Sequence, residues 1–491
     1  MTILDLFDAA RAERPAAPAV NGCSYTDLHA GALRVARHLA ASGLRRGDRL
    51  ALYCENRMAF VYAYLGALRL GAVVVPVNVL YRAAELEHVL SDADVTLVLA
   101  SAATHGHVPA GYVSIDAGEL ETWAAQSADP AEPESIPQAD HDAAIIYTSG
   151  TTGRSKGAVL THGNLAAIAA QVVVSWRWTA RDTLYVALPL FHMHGLGAAL
   201  NGTFAAGGSL VFDERFDAAH ALVTLRRGEA TMFFGVPTMY VRLLEHIEGD
   251  APRLRLWVSG SAALAADVFT AFEARFGAQI LERYGATEFG FACTNRFAGP
   301  RVPGSIGIPT PGTRVIVAAP ASTDALPAGD VGELLVAGPG VCRGYWRNDA
   351  ATAEAFVFDV AGTRWYRSGD LGCYDAANAV YRIVGRSKEL IVTGGFNVYP
   401  LEVENELNSL PGIRASAVVG IADAVRGELP YAFVELDGQS GEPLDVAAIR
   451  AALGERLASF KIPREIAVVE ALPRNALGKI EKHRLRERLV S

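Results

Sequence analysis

From Tyr25 onward, short apolar runs alternate with amphipathic stretches of helical length, and this alternation points to parallel α/β sheets. Tyr25 to Ser42 reads as an amphipathic helix, Arg49-Leu-Ala-Leu-Tyr-Cys as a strand and Ala72-Val-Val-Val-Pro-Val as another. The helical Ala83 to Leu90 is followed by Val95-Thr-Leu-Val-Leu-Ala, a third strand. Parallel neighbours need a crossover, and the intervening helices supply it. A second alternating block runs from Ala143 to about Gly290. Between them, Gln126 to Asp142 is rich in Pro, Asp, Glu and Ala and reads as a surface loop. From Pro303 to Tyr381, short apolar runs divided by Gly, Pro and Asp suggest a β-barrel-like subdomain. After Arg386 comes a shorter α+β segment of about a hundred residues. A chain of 491 residues is too long for one core, so two or three domains are expected.

The formal net charge is −9, which disfavours nucleic acid as a partner. The five cysteines are scattered with no C-x-x-C pair, so neither structural zinc nor a disulfide framework is expected. Reduced thiols fit a cytoplasmic protein. Acids at the start, in Met1-Thr-Ile-Leu-Asp-Leu-Phe-Asp, oppose a signal peptide. The most apolar stretch, Tyr62 to Val79, holds Arg69, two glycines and Pro76. It reads as a buried helix running into a buried strand, and no membrane span is expected.

The segment most charged with chemistry is Thr148, Ser149, Gly150, Thr151, Thr152, Gly153, Arg154, Ser155, Lys156 and Gly157, after the apolar Ala143-Ala-Ile-Ile-Tyr. Its glycines let backbone N–H groups approach an anion, its hydroxyls add donors, and Lys156 adds a mobile positive charge. A triphosphate needs such a set. The lysine precedes a glycine, so the Walker order is absent and a P-loop NTPase does not fit.

This loop resembles the signature of the adenylate-forming superfamily of acyl-CoA synthetases, luciferases and peptide-synthetase adenylation domains. Further motifs follow in the family's order: Gly260-Ser-Ala-Ala-Leu, Tyr284-Gly-Ala-Thr-Glu288, Tyr366-Arg-Ser-Gly-Asp370, Gly385-Arg-Ser-Lys388 and Pro473-Arg-Asn-Ala-Leu-Gly-Lys479. The resemblance covers nearly the whole chain. It implies an N-terminal ATP- and acyl-binding domain over 1–387, made of two α/β sheet subdomains and a β-barrel-like subdomain. A small mobile α+β domain over 388–491 would carry the catalytic lysine. The implied reaction joins a carboxylic acid to AMP from ATP with Mg²⁺, then passes the acyl group to coenzyme A. A monomer or a homodimer is expected.

The resemblance also assigns roles. Tyr284 would pack on adenine, with Gly285 beside it, and Thr287 would bond the α-phosphate. Glu288 would hold Mg²⁺, a cation that prefers hard oxygen ligands. Gly260 and Ala262 would border the nucleotide. Asp370 would accept from both ribose hydroxyls, as a two-oxygen acceptor can, and Arg386 would join it. Ser368 stands where the family more often has Thr. Lys479 would bridge carboxylate and α-phosphate oxygens, whereas Lys482 reads as a surface lysine. His192 and His194, in Leu188-Pro-Leu-Phe-His-Met-His-Gly, would lie between the acyl pocket and the point of thiol attack. No third ligand stands near them in sequence, so zinc is not expected. The small domain would turn about Lys388, and Gly394 and Gly395 would then line the pantetheine tunnel.

Several segments resemble malonyl-CoA synthetases in particular: Trp176-Arg-Trp-Thr, Phe234-Gly-Val-Pro-Thr-Met-Tyr-Val-Arg242, Leu281-Glu-Arg-Tyr-Gly and Arg301-Val-Pro-Gly. That subgroup associates arginines with the free carboxylate, and Arg242 and Arg301 stand in matching places. Phe289 and Phe291 depart from it, because the subgroup has Met and polar residues there. A short dicarboxylate such as malonate or methylmalonate is expected. A fatty or aryl monocarboxylic acid, or a carrier protein in place of coenzyme A, remains the alternative.

Overall fold

The computed structural model describes residues 1–127, 137–148, 154–423, 425–437, 446–475 and 478–490. Residues 128–136 of the expected surface loop lie outside this set, as do Ser149, Gly150, Thr151, Thr152 and Gly153.

Two large sheets and two small ones make up the molecule. The first sheet has seven strands, in the order Gly344–Tyr345, Lys156–Thr161, Asp142–Thr148, Val73–Pro76, Arg49–Tyr53, Leu97–Ala100 and Val113–Asp116. Its central strands run parallel, and Val73–Pro76 and Leu97–Ala100 are buried throughout. Strands covered on both faces read as unbroken apolar runs, as these do. The second sheet has nine strands. Thr183–Val186, Ser209–Phe212, Met232–Gly235 and Leu256–Ser259 form its parallel centre. Helices Tyr25–Ala41 and Met58–Arg69 contribute to one apolar core shared by both sheets.

Residues Arg314–Ala318, Gly332–Ala337, Phe356–Phe358, Arg364–Asp375 and Val380–Arg386 form a five-stranded antiparallel sheet. The last sheet, also five-stranded, contains only strands from Ile391 onward, among them Ile413–Asp423 and Gly427–Leu436. It encloses a separate core of Ile391, Val398, Val403, Leu407, Val418 and Val434. A second core is what an independent small domain requires. No helix among the described residues is long and apolar enough to cross a membrane.

One buried side chain ties the two large sheets together. Asn56 follows strand Arg49–Tyr53, and its Nδ2 donates to the carbonyls of Leu188 at 2.9 Å and Asp213 at 3.1 Å. Its Oδ1 accepts from the Leu190 N–H at 2.8 Å. The loop that ends in His192 and His194 is therefore fixed from the neighbouring sheet. Immediately beyond it, His194–Leu200 winds as a π-helical turn, a feature that recurs at functional sites.

Candidate active site

A cavity of about 1500 Å³ opens where the two large sheets and the sheet over 314–386 meet the small domain. Its wall is drawn from both ends of the chain: Thr148 and Lys156, His192 to His194, Ser261, Arg283, Gly285 to Gly290, Ser368 to Leu371, Arg386 to Leu390, and Lys479. Residues more than three hundred positions apart thus share one space.

On this wall, Asp370 and Arg386 face each other across two paired strands. Arg386 Nε lies 2.6 Å from Asp370 Oδ1, and the Tyr284 hydroxyl donates to Oδ2 at 2.5 Å. Burial pushes the Asp370 carboxyl up, against the pull of Arg386. Each carboxylate oxygen keeps further acceptor capacity, so the arrangement holds the group ready without exhausting it. Tyr284 is buried, with its ring against Phe289, 5.3 Å between centroids. Its hydroxyl is thus committed to Asp370. Ser368 also serves the fold: its hydroxyl donates to the Leu334 carbonyl at 2.7 Å and accepts from the Asp370 N–H.

Glu288 is buried at the cavity wall, where its Oε1 accepts from Thr148 Oγ1 at 3.0 Å and from the Tyr345 hydroxyl at 3.2 Å. Lys156 lies over the Tyr345 ring, 5.5 Å from its centre. One carboxylate among hydroxyls suits Mg²⁺, which keeps water and phosphate oxygens for its other positions. No group of three metal-binding side chains occurs among the described residues.

The small domain delivers Lys479. Its N–H donates to Asn475 Oδ1 at 3.0 Å, and the Asn475 N–H returns to its carbonyl at 2.9 Å. The side chain is exposed into the cavity. Although water reaches it there, desolvation by the cavity walls, with Arg386 nearby, pushes its pKa down. Lys388 is also on the wall, in the turn Ser387–Glu389. Gly394 and Gly395 are not. They form the exposed turn between Ile391–Thr393 and Phe396–Val398. Lys482 is no surface lysine: it is bonded to Glu389 at 2.9 Å and Glu404 at 2.7 Å, and these carboxylates raise its pKa.

The cavity wall also holds a cation that sequence reasoning overlooked. Arg283, on strand Ile280–Ala286, is 7% exposed. Its Nη2 donates to Ser261 Oγ at 3.1 Å, its guanidinium lies 4.6 Å from the Phe291 ring centre, and its Nε has no partner. It pairs with no carboxylate among the described residues, and burial pushes its pKa down to about 9. Gly260 makes the room, because a β-carbon there would stand 2.2 Å from Arg283 Nε. Ser261 holds φ of +71°, an uncommon left-handed conformation that accompanies functional sites. His194 Nδ1 lies 3.4 Å from Ser261 Oγ, its Nε2 has no partner, and burial keeps the ring neutral. His192 is likewise pushed down, to about 4. Ala262 is exposed and off the wall.

Neither arginine singled out from the sequence lines the cavity. Arg242 is exposed on helix Pro237–His246. Arg301 spends its guanidinium on backbone carbonyls, those of Gln279 and Phe297 among them. The signal for Arg283 was present: a charged residue inside an apolar strand, directly before Tyr284-Gly-Ala-Thr-Glu288.

Comparison with known proteins agrees with this geometry. Residues 7–346 match the AMP-binding enzyme family and 402–479 match the AMP-binding enzyme C-terminal domain. A feruloyl-CoA synthase of Amycolatopsis sp is 35% identical, covering 95% of this chain and 94% of that protein. A mitochondrial malonate–CoA ligase, ACSF3 of Mus musculus, is 33% identical over 95% of this chain and 87% of its own. Crystal structures of MatB from Rhodopseudomonas palustris are 38% identical over 99% of both chains, with a TM-score of 0.90 for the ATP-bound form and 0.80 for the apo form. With the motifs gathered on one cavity and both family models matched, the chain belongs to the AMP-binding enzyme family, as an AMP-forming acid–CoA ligase.

Proposed function

We propose that the acid is a short dicarboxylate such as malonate or methylmalonate. The observation that carries this reading is Arg283, a buried guanidinium without a carboxylate partner among the described residues. Leaving such a charge unpaired costs several kcal/mol, which an incoming anion offsets. A guanidinium grips a carboxylate with two parallel hydrogen bonds, fixing direction as well as charge. Ser261 and neutral His194 complete the receptor for that carboxylate. Propionate would leave Arg283 unpaired and be rejected.

In the first half-reaction, a carboxylate oxygen attacks the α-phosphorus of ATP and the bond to pyrophosphate breaks. Two anions must meet, so positive charge has to converge on them. Lys479, Lys156 and Thr287 supply donors, Asp370 and Arg386 hold the ribose, and Glu288 would hold Mg²⁺, which would neutralise phosphate charge. In the second, the coenzyme A sulfur attacks the acyl carbon and AMP leaves. Between the two, the domain over 388–491 turns on that over 1–387 about Lys388, replacing Lys479 with Gly394 and Gly395. Two facts support this two-pose reading: only Lys479 of the two sets lines the cavity, and similarity is higher to ATP-bound than to apo MatB.

Phe289 and Phe291 favour a second reading, an aromatic acid, in which Arg283 would only stack on Phe291. The test is AMP release with ATP, Mg²⁺ and coenzyme A across malonate, methylmalonate, propionate, benzoate and ferulate. Preference for the two dicarboxylates upholds the first reading; preference for the aryl acids replaces it with the second.

A further inference from the structure

Helix Pro237–His246 of the large domain touches the small domain at both of its ends. At its first turn, Thr238 faces Gly478, the residue before the lysine. A β-carbon on Gly478 would stand 2.8 Å from Thr238 Oγ1, and Gly478 holds φ of +74°, which glycine adopts without strain. At its last turn, Glu245 Oε1 lies 3.7 Å from Nη2 of Arg414, on strand Ile413–Asp423.

From there the contacts run inward. Arg414 Nη1 lies 3.7 Å from Oε1 of Glu435, which is buried on the neighbouring strand Gly427–Leu436. Glu435 Oε2 accepts from the Leu472 N–H at 3.0 Å and lies 3.7 Å from Arg474 Nη2. Arg474 Nη1 donates to the Gly478 carbonyl at 3.0 Å. The sequence of contacts leaves the large domain at Glu245, returns to it at Thr238, and ends beside Lys479.

We propose that this helix is the docking seat that registers the Lys479 turn for acid activation and is vacated for thiol transfer. The proposal rests on the two-pose reading above. Thr238, Arg414, Glu435 and Arg474 are positioning residues, acting through Lys479. The two ends contribute unequally. Glu245 and Arg414 are both about half exposed, so their attraction is weak and screened by salt. The Thr238–Gly478 approach is a close packing contact, since a β-carbon on Gly478 would press on Thr238, so bulk added at position 238 is expected to crowd the docked turn.

The test uses the full-length enzyme, with pyrophosphate exchange for activation and thioester formation from supplied acyl-adenylate for transfer. The adenylate is that of the acid ranked first in the panel. Thr238→Leu should slow activation about ten- to a hundred-fold, the scale of an ångström's misplacement, and leave transfer within about two-fold of wild type. Glu245→Arg should slow activation about two- to five-fold at low ionic strength and recover as salt is raised. Lys479→Ala is the reference. If it separates the half-reactions and Thr238→Leu does not, the seat is wrong and the two poses stand. If Lys479→Ala lowers both equally, the two-pose reading fails and the seat falls with it.

Discussion

Arg283 donates through Nη2 to Ser261 Oγ at 3.1 Å while its Nε, 2.2 Å from where a β-carbon on Gly260 would lie, has no acceptor. The strand and the glycine turn thus hold a cation with bonding capacity to spare. Arg283→Met should lower kcat/KM for malonate by about 2–4 kcal/mol, the range for truncating one side of a buried charge pair. Propionate should be weakened far less or improved. Arg301→Met, which removes bonds to backbone carbonyls only, should leave the ranking of acids alone. Steady-state AMP release checks all three. A ranking that follows Arg301 and ignores Arg283 would return the carboxylate to the position first read from the sequence.

On the two-pose reading, Lys479 serves activation and is withdrawn for transfer. Lys479→Ala should suppress activation by about 10²-fold or more, the scale for losing a positioned transition-state charge. Thioester formation from supplied acyl-adenylate should be largely intact. Because burial and Arg386 hold its pKa below the usual lysine value, activation should also lose rate on the alkaline side before transfer does. The charged form is the active one, and raising pH through a lowered pKa removes it early. Separate pH profiles of the two half-reactions check this, and coincident alkaline limbs would contradict it.

Local pattern made the elements legible. Strands Arg49–Tyr53, Val73–Pro76 and Leu97–Ala100, and helix Tyr25–Ala41, lie where apolar runs and spacing put them. Motif order made most of the cavity wall legible too, from Thr148 through Glu288 and Asp370 to Lys479. Sheet order was not legible. Pro18–Val20 pairs with Ser209–Phe212 because tertiary packing brings them together, and nothing local encodes that. The arginines failed for a related reason. Spacing gives neither which face of a strand meets the cavity nor what a guanidinium finds nearby, and Arg301 finds backbone carbonyls. Lys482 failed because its partners, Glu389 and Glu404, are some eighty or ninety positions away.

The turn Ser387–Glu389 joins the last strand of the large domain to the small one, and Lys482 binds Glu389 to the small domain. On the two-pose reading, the pivot is therefore expected on the N-terminal side of Glu389, at Lys388. Lys388→Pro fixes φ there and restricts Ser387. Activation should run near the wild-type rate while transfer stops. Both rates unchanged in stopped-flow assays would move the pivot elsewhere.

Glu282 sits beside Arg283 on the same strand, with its side chain on the opposite face, because neighbouring strand residues alternate. It is 8% exposed and accepts the N–H groups of Gly304 and Leu264, tying the glycine turn and the segment after Arg301 to the strand. Burial raises its pKa from 4.5 to about 8, against those two hydrogen bonds and the charge of Arg382. Between these values the folded protein holds a proton that the unfolded chain has released. Stability then falls as pH rises through that window, since the unfolded state binds fewer protons. The loss is complete above the folded value. Glu282→Gln keeps an acceptor for the two N–H groups and has nothing to ionise. Thermal midpoints from about pH 5 to about pH 9 should therefore decline in the wild type more steeply than in the variant, the two curves diverging toward the alkaline end. Parallel curves would mean that Glu282 is already ionised when folded, held by Arg382 more firmly than its burial opposes.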